Sequence, residues 1–471
     1  MRNILAVGAY ERDNFGDYLF FEVLKRALPD DNIIPGSVIV GDMRKEYGFV
    51  TVPYDYVLDN YSVDAVWVVG GEIGGVNISA ALDMSTGDIL EGPLYSSYGT
   101  EVKEKIEKLL GASDRNKRAY IPDMKLYKKN TEKPLIIQSV GLKHIFVGSV
   151  NNRDLLMRAK RLVVRETQSY SLCKESGVKV TLAPDVVHSI SKFYTPNKDD
   201  VERAVMLQVN KSTLDSYKKK HIKSVLRTIY DAHNIPIILF AAGTANGHDS
   251  FKAYEDIVES LKDDIDIKIL DTRNPLKIID YIAAAKIVIG TSLHVRIIAS
   301  TYNVPRISLR NDKTSSYAKE WDDTWPTDVD FNELPSILDG FNTSGRDIIA
   351  GERLTARAYE ELMKSINVLP ESTHATNVLD TNTLLMDWFV YQRRVITEMI
   401  ISDLARYSKQ ISNLETEMES EFAKKDATIE KERWINQTIM TSKSYRIGRT
   451  LTYPYRFFRN KITSLFSYFD R

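Results

Sequence analysis

Asn3-Ile4-Leu5-Ala6-Val7, then Gly8-Ala9-Tyr10-Glu11-Arg12-Asp13-Asn14-Phe15-Gly16-Asp17, then Tyr18 to Leu28: this opening stretch decides the fold. Its first five residues form an apolar run of the length of a buried strand. The loop after it ends in Asn14-Phe15-Gly16-Asp17, where a glycine and free backbone amides permit close approach of a ligand, although a turn with an ordinary helix cap has the same appearance. Tyr18 to Leu28 sets Leu19, Glu22/Val23 and Arg26/Ala27 on successive turns, so a helix follows. Strand, loop, helix is the repeating unit of a parallel α/β sheet. The apolar run is too short for the core of a signal peptide, and the expectation is a cytoplasmic protein.

The same unit recurs outward from this stretch. Ala65–Val69, Leu135–Val140 and Leu162–Val164 read as further strands buried on both faces. A second series follows at Ala204–Val209, Ile235–Phe240, Ile265–Leu270, Ile287–Ile289 and Arg306–Leu309, alternating with helical patterns at 212–233, 250–262, 275–285 and 293–302. The polar, Pro196-containing stretch Ser191–Asp200 breaks both periodicities. With 471 residues, more than one core usually organises, the expected division is residues 1–195 as one Rossmann-like, doubly wound domain and 196–370 as a second. Residues 371–440 are expected to form a long helix or coiled coil, and 441–471 a basic-aromatic tail.

Composition narrows the function classes. Lys plus Arg at 63 against Asp plus Glu at 64 gives a formal charge of −1, which argues against chain-wide attraction to nucleic acid. Cys173 stands alone and forms no internal disulfide. No window approaches the roughly 20 apolar residues of a membrane span. No cluster of Cys, His or carboxylates has metal-ligand spacing, so no metal and no cofactor are expected.

Chemistry-bearing residues gather at strand ends. Gly70-Gly71-Glu72 follows the strand ending at Val69, and Arg165-Glu166 follows Val164; several loops therefore converge at one sheet edge. Arg165 is the natural anchor for a carboxylate or phosphate, and a surface Arg-Glu cluster is the competing account. In the second half, Gly247-His248-Asp249 and Thr291-Ser292-Leu293-His294 each deliver a histidine, for proton exchange or for satisfying a buried carbonyl. Asp312-Lys313 supplies a cation after the last strand of that series.

In order, these loops resemble the polysaccharide pyruvyl transferase family over roughly residues 1–315. Asn14, Gly16 and Asp17 match its early Asn-x-Gly-Asp, and Gly70 and Gly71 match its Gly-rich strand end. Val164-Arg165-Glu166 with Ser169, Leu172, Gly177 and Asp185 is similar to its middle motif, and Gly290-Thr291-Ser292-Leu293-His294 to a Ser-Leu-His signature. Glu72 stands where many members continue the glycine run, Ser292 where other branches have an arginine, and Arg296 where a small residue is common. The missing guanidinium would then have to be replaced by Arg296, Arg310 or Lys313.

The resemblance implies a GT-B-like pair of domains and a bacterial transferase of exopolysaccharide biosynthesis. Phosphoenolpyruvate would be the donor, and a glycan or lipid-linked sugar the acceptor. It further implies His294, His248 and Lys313 as catalytic groups, with Asn14, Gly16, Asp17, Gly70, Gly71, Arg165, Ser292 and Arg296 binding substrate. A nucleotide-sugar glycosyltransferase and a non-catalytic scaffold are the alternatives.

Two further expectations concern the C-terminal part. Ile400, Leu404, Tyr407, Ile411, Leu414 and Met418 alternate spacings of four and three inside the Pro- and Gly-free stretch 384–437, which reads as a seam for a homo-oligomer or as an amphipathic helix folded on its own domain. Residues 434–469 interleave Lys and Arg with Tyr and Phe and carry no acid, which suits the inner face of an anionic membrane or a docking tail.

Overall fold

The computed structural model describes residues 1–86, 95–116, 118–142, 145, 152–245, 248–339, 341, 343–372 and 378–423. Gly247, the tail at 441–471 and the membrane expectation for 434–469 lie outside them, as does the end of the stretch 384–437.

The first sheet holds β1 (Asn3–Val7), β2 (Asn32–Ser37), β5 (Val52–Pro53), β6 (Ala65–Val69), β7 (Leu135–Gln138), β8 (Ala159–Val164) and β9 (Thr181–Leu182) in the order β5-β2-β1-β6-β7-β8-β9. A short antiparallel pair, β3 (Asp42–Met43) and β4 (Phe49–Val50), stands beside it. The second sheet holds β10 (Val205–Gln208), β11 (Ile237–Leu239), β12 (Ile267–Ile269), β13 (Ile287–Gly290) and β14 (Arg306–Ser308) in the order β12-β11-β10-β13-β14. All pairings within both sheets are parallel. Each sheet grows outward in both directions from its first strand, so the order reverses between β1 and β6 and between β10 and β13. At such points the loops diverge and leave a crevice. The architecture is thus two Rossmann-like sheets, as a GT-B-like fold requires.

Burial explains why these runs are strands. All five residues of β1 and of β6 are buried, as are all four of β10 and β13, which is what a sheet covered on both faces demands. The helix Phe15–Ala27 begins three residues before the expected Tyr18, because the Asn14 side chain caps it. The expected helix at 212–233 is two pieces, Lys211–Asp215 and Lys219–His233.

The two sheets share one continuous apolar core. Ile4, Ala6 and Trp67 of the first sheet join Met206, Ile238 and Val288 of the second through Leu19 and Phe20 on one helix and Leu293 and Ile297 on another. Burying each such aliphatic or aromatic side chain contributes roughly 1.5–3 kcal/mol, so the contact between the sheets is strongly held. Ser191 and Lys192 of the expected linker close a 3-10 turn, Val186–Lys192. Further on, the Asn197 amide donates to Asp280 at 2.9 Å. The helix Ala350–Ile366 returns to the first sheet: Arg161 of β8 donates to Ser365 and pairs with Glu361, and Thr355 donates to the His188 carbonyl at 3.0 Å.

Residues Met1–Trp388 form one compact unit; of Phe389–Arg471 the described residues belong to the helix Thr381–Ala423. Along its expected seam Leu404, Ile411 and Leu414 are exposed. No helix among the described residues is long and apolar enough to cross a membrane.

Candidate functional site

The site is built where the loops of both sheets meet. Asn14 holds an extended backbone and its side chain accepts from the amides of Gly16 at 2.9 Å and Asp17 at 3.4 Å, so its role is to start the helix. That fixes Asp17 one turn in, where Arg12 grips its carboxylate at 3.2 Å in a buried ion pair. Asp13, between them, binds the other sheet: its carboxylate accepts from Arg273 at 2.6 Å and from the amide and hydroxyl of Thr244. The Phe15 amide donates to the Ala242 carbonyl at 2.7 Å across the same boundary.

After β6 the chain turns through Gly70 and Gly71, both with positive φ (72° and 79°). The Phe20 ring fills the space over Gly70 and stands nearly perpendicular to the His294 imidazole with centroids 5.0 Å apart. Arg165 leaves the end of β8 fully buried, with Nη1 2.8 Å from Asp185 Oδ2 and Nη2 3.7 Å from Glu72 Oε2.

The second sheet contributes from its own reversal point. Gln208, the last residue of β10, accepts from the amides of Thr291 (3.0 Å) and Ser292 (2.9 Å) and donates to Asp249 at 2.7 Å. Asp249 accepts in turn from the Ala242 amide, which ties down the loop that carries His248. Ser292 is the N-cap of the helix Leu293–Thr301, which brings His294 to the boundary. There Nε2 lies 3.9 Å from Asp185 Oδ2 and has no hydrogen-bond partner.

Lys313 is half-buried in the first turn of the helix Asp312–Trp321. Tyr317 of that helix accepts from the Asp185 amide at 2.9 Å and meets His188 Nε2 at 3.2 Å, while His188 Nδ1 meets Thr301 at 2.8 Å. Thr301 donates to Ile297, so His188 Nδ1 carries its proton and Nε2 accepts from Tyr317. This chain of hydrogen bonds holds Asp185 and the His294 helix in fixed relation.

Burial dominates the electrostatics. It holds the His294 imidazole well below its ordinary value, and the positive charges of Arg165 and Lys313 push it the same way. Burial and then Arg165 push the Lys313 ammonium down to about 8, partly opposed by Glu72, Asp17 and Asp185. His248 is lowered by burial and by Arg12, and it also feels Asp17 and Lys313, so it belongs to the same cluster. Arg12, Arg165 and Lys313 thus share the site with the carboxyl groups of Asp17, Glu72 and Asp185, of which burial pushes Asp185 above its ordinary value, and with the imidazoles of His248 and His294.

Of the residues singled out in the sequence, Gly16, Asp17, Gly70, Gly71, Arg165, His248, His294 and Lys313 come together here, with Asn14 and Ser292 at the two helix starts. Arg296 does not. Its guanidinium donates to Ser308, to the carbonyls of Asp322, Trp325 and Pro326, and pairs with the Asp322 carboxylate at 2.9 Å. Two residues beyond His294 on a helix, it points to another side. Arg310 is equally unavailable: it is 62% exposed and pairs with Asp328 and Asp330. Lys313 alone of the three expected substitutes reaches the cluster. Arg12 and Gln208 were missed by sequence reasoning. Gln208 had one usable signal, its place at the carboxyl end of a strand beside the reversal point.

Among the described residues no group of three or more His, Cys, Asp or Glu is poised to hold a metal ion. A family model for polysaccharide pyruvyl transferase matches residues 14–313, well over half the chain, starting at the capping Asn14 and ending at Lys313. The chain belongs to the polysaccharide pyruvyl transferase family. This is a family of transferases, and the match takes in every residue of the cluster except Arg12. No curated protein matches the sequence.

Solved structures similar to this pyruvyl transferase family member include a UDP-GlcNAc 2-epimerase from Methanocaldococcus jannaschii, 13% identical, covering 77% of this chain and 100% of that chain with a TM-score of 0.44. A putative UDP-N-acetylglucosamine 2-epimerase from Listeria monocytogenes is 11% identical, covering 78% and 95%, with a TM-score of 0.47. At these identities and scores the chemistry of those enzymes does not transfer to this chain.

Proposed function

We propose that this protein transfers a pyruvyl group from phosphoenolpyruvate to hydroxyls of a sugar in a surface glycan or its precursor, forming a ketal and releasing phosphate. Membership of the pyruvyl transferase family supports the reaction class. The observation that carries the reading is that His294, from the second sheet, sets Nε2 3.9 Å from the same Asp185 Oδ2 that Arg165 of the first sheet reaches at 2.8 Å.

The chemistry needs these groups. A proton is added to the methylene carbon of the donor, a sugar hydroxyl attacks the adjacent carbon, and a second hydroxyl replaces phosphate there. Two hydroxyl protons are released; one balances the new methyl group and one leaves on the phosphate. His294 is assigned the proton transfer to carbon, and His248 the proton of the attacking hydroxyl. Arg165 and Lys313 hold carboxylate and departing phosphate. Burial, and after it Arg165 and Lys313, holds the His294 imidazole well below its ordinary value, and an anionic donor beside those two cations would offset their share and favour protonation of the ring.

Acceptor-dependent phosphate release from phosphoenolpyruvate is the direct test. The reading fails if no sugar acceptor elicits release, or if His294→Ala leaves the rate unchanged.

A further inference from the structure

The geometry points to Glu72 as a movable plug on the anion-binding face of Arg165, one that a small oxyanion must push aside to bind. Arg165 is 1% exposed, and its Nη1 is committed to Asp185 at 2.8 Å. Its Nη2 has no hydrogen-bond partner, and neither has the Glu72 Oε2 that faces it at 3.7 Å. Charge holds these two atoms opposite each other, yet the gap is too wide for a hydrogen bond. Buried donors and acceptors left in that state favour any ligand that completes them. A phosphate carries enough oxygens to satisfy Nη2 and Lys313 at once, whereas Glu72 leaves Nη2 bare.

Two features make the plug removable. The Glu72 side chain is 25% exposed, so it has solvent to swing into. Its seat is formed by Gly141, where a Cβ would fall 2.2 Å from Glu72 Oε2 with the carboxylate atoms as its nearest neighbours. The three atoms nearest that Cβ all belong to the Glu72 carboxylate, so an alanine there displaces a flexible side chain. Glu72 also adds a negative charge where an anion has to arrive.

The inference rests on the pyruvyl-transfer reading only for its class of ligand, so binding and turnover are measured separately. Inorganic phosphate is titrated calorimetrically into the full-length protein, Glu72→Gln and Gly141→Ala, with thermal midpoints as a check on folding. Both variants are expected to bind phosphate about tenfold more tightly than the parent, the scale of relieving one like-charge contact. Unchanged or weaker binding in Glu72→Gln overturns the proposal, and so does tightening in Glu72→Gln without tightening in Gly141→Ala. If both tighten while neither they nor the parent consume phosphoenolpyruvate with any acceptor, the plug stands and pyruvyl transfer falls.

Discussion

Gly16, in the first turn of the helix after β1, lies so close to His294 that a Cβ on it would fall 1.9 Å from Nδ1. The imidazole from one sheet is seated on a backbone position of the other. Gly16→Ala is therefore expected to tilt the ring and lower kcat for phosphate release about 10- to 100-fold, the effect of overpacking by roughly 1–3 kcal/mol at a reacting group. Steady-state kinetics beside a thermal melt measure it; a wild-type kcat would mean that the ring's seat is immaterial.

His294→Gln keeps a polar side chain in the same buried position. It is expected to cut kcat about 10²- to 10⁴-fold, the usual share of a general acid, while phosphate still binds. Loss of binding together with rate would make His294 a ligand group instead of a proton carrier.

Lys313 gives a pH limit. Burial and Arg165 bring its ammonium down to about 8, so it is charged below that value and neutral above it. An anion held by the charged form is released as pH rises, and kcat/KM for phosphoenolpyruvate is expected to fall through about pH 8. In Lys313→Arg the descending limb should move above pH 10, because a guanidinium stays protonated there. A profile that is the same in both proteins would remove Lys313 from the binding of donor.

Arg296 is a stability residue. Its ion pair with Asp322, which is shared with Arg306, is buried, and its remaining donors serve three carbonyls and Ser308. Arg296→Ala is expected to lower unfolding free energy by about 1–3 kcal/mol, the scale of leaving buried carbonyls without a donor while Arg306 still pairs Asp322, with KM for the donor little changed. Urea denaturation and kinetics on the same preparation check both halves.

Much of this arrangement is legible in the sequence because buried parallel strands are apolar runs and their carboxyl ends carry the chemistry. β1, β6, β10, β11 and β13 follow that rule, and so do the loops at Gly70, Arg165 and Ser292. The misses have physical reasons. β2 contains Pro35 and Gly36, which read as a break although both are buried in the sheet. The helix Asp312–Trp321 buries Thr314, Ser315, Tyr317 and Ala318, small or polar groups that leave no apolar stripe. Lys313 therefore reads as a loop residue when it is the start of a helix. The fate of Arg296 depends on Asp322, Trp325 and Pro326, more than twenty residues away, and no local pattern reveals such a partner.

The return of helix Ala350–Ile366 to β8 and to the turn after β9 decides how this polypeptide can be cut. A truncation at the end of the second sheet would strip Arg161 of Glu361 and Ser365 and uncover the wall beneath His188. Because His188 fixes Tyr317 and through it Asp185, the damage would propagate to the imidazole at 294 from a helix that supplies none of the clustered side chains. Half-length fragments should accordingly be insoluble when made singly and recover only when both are supplied together.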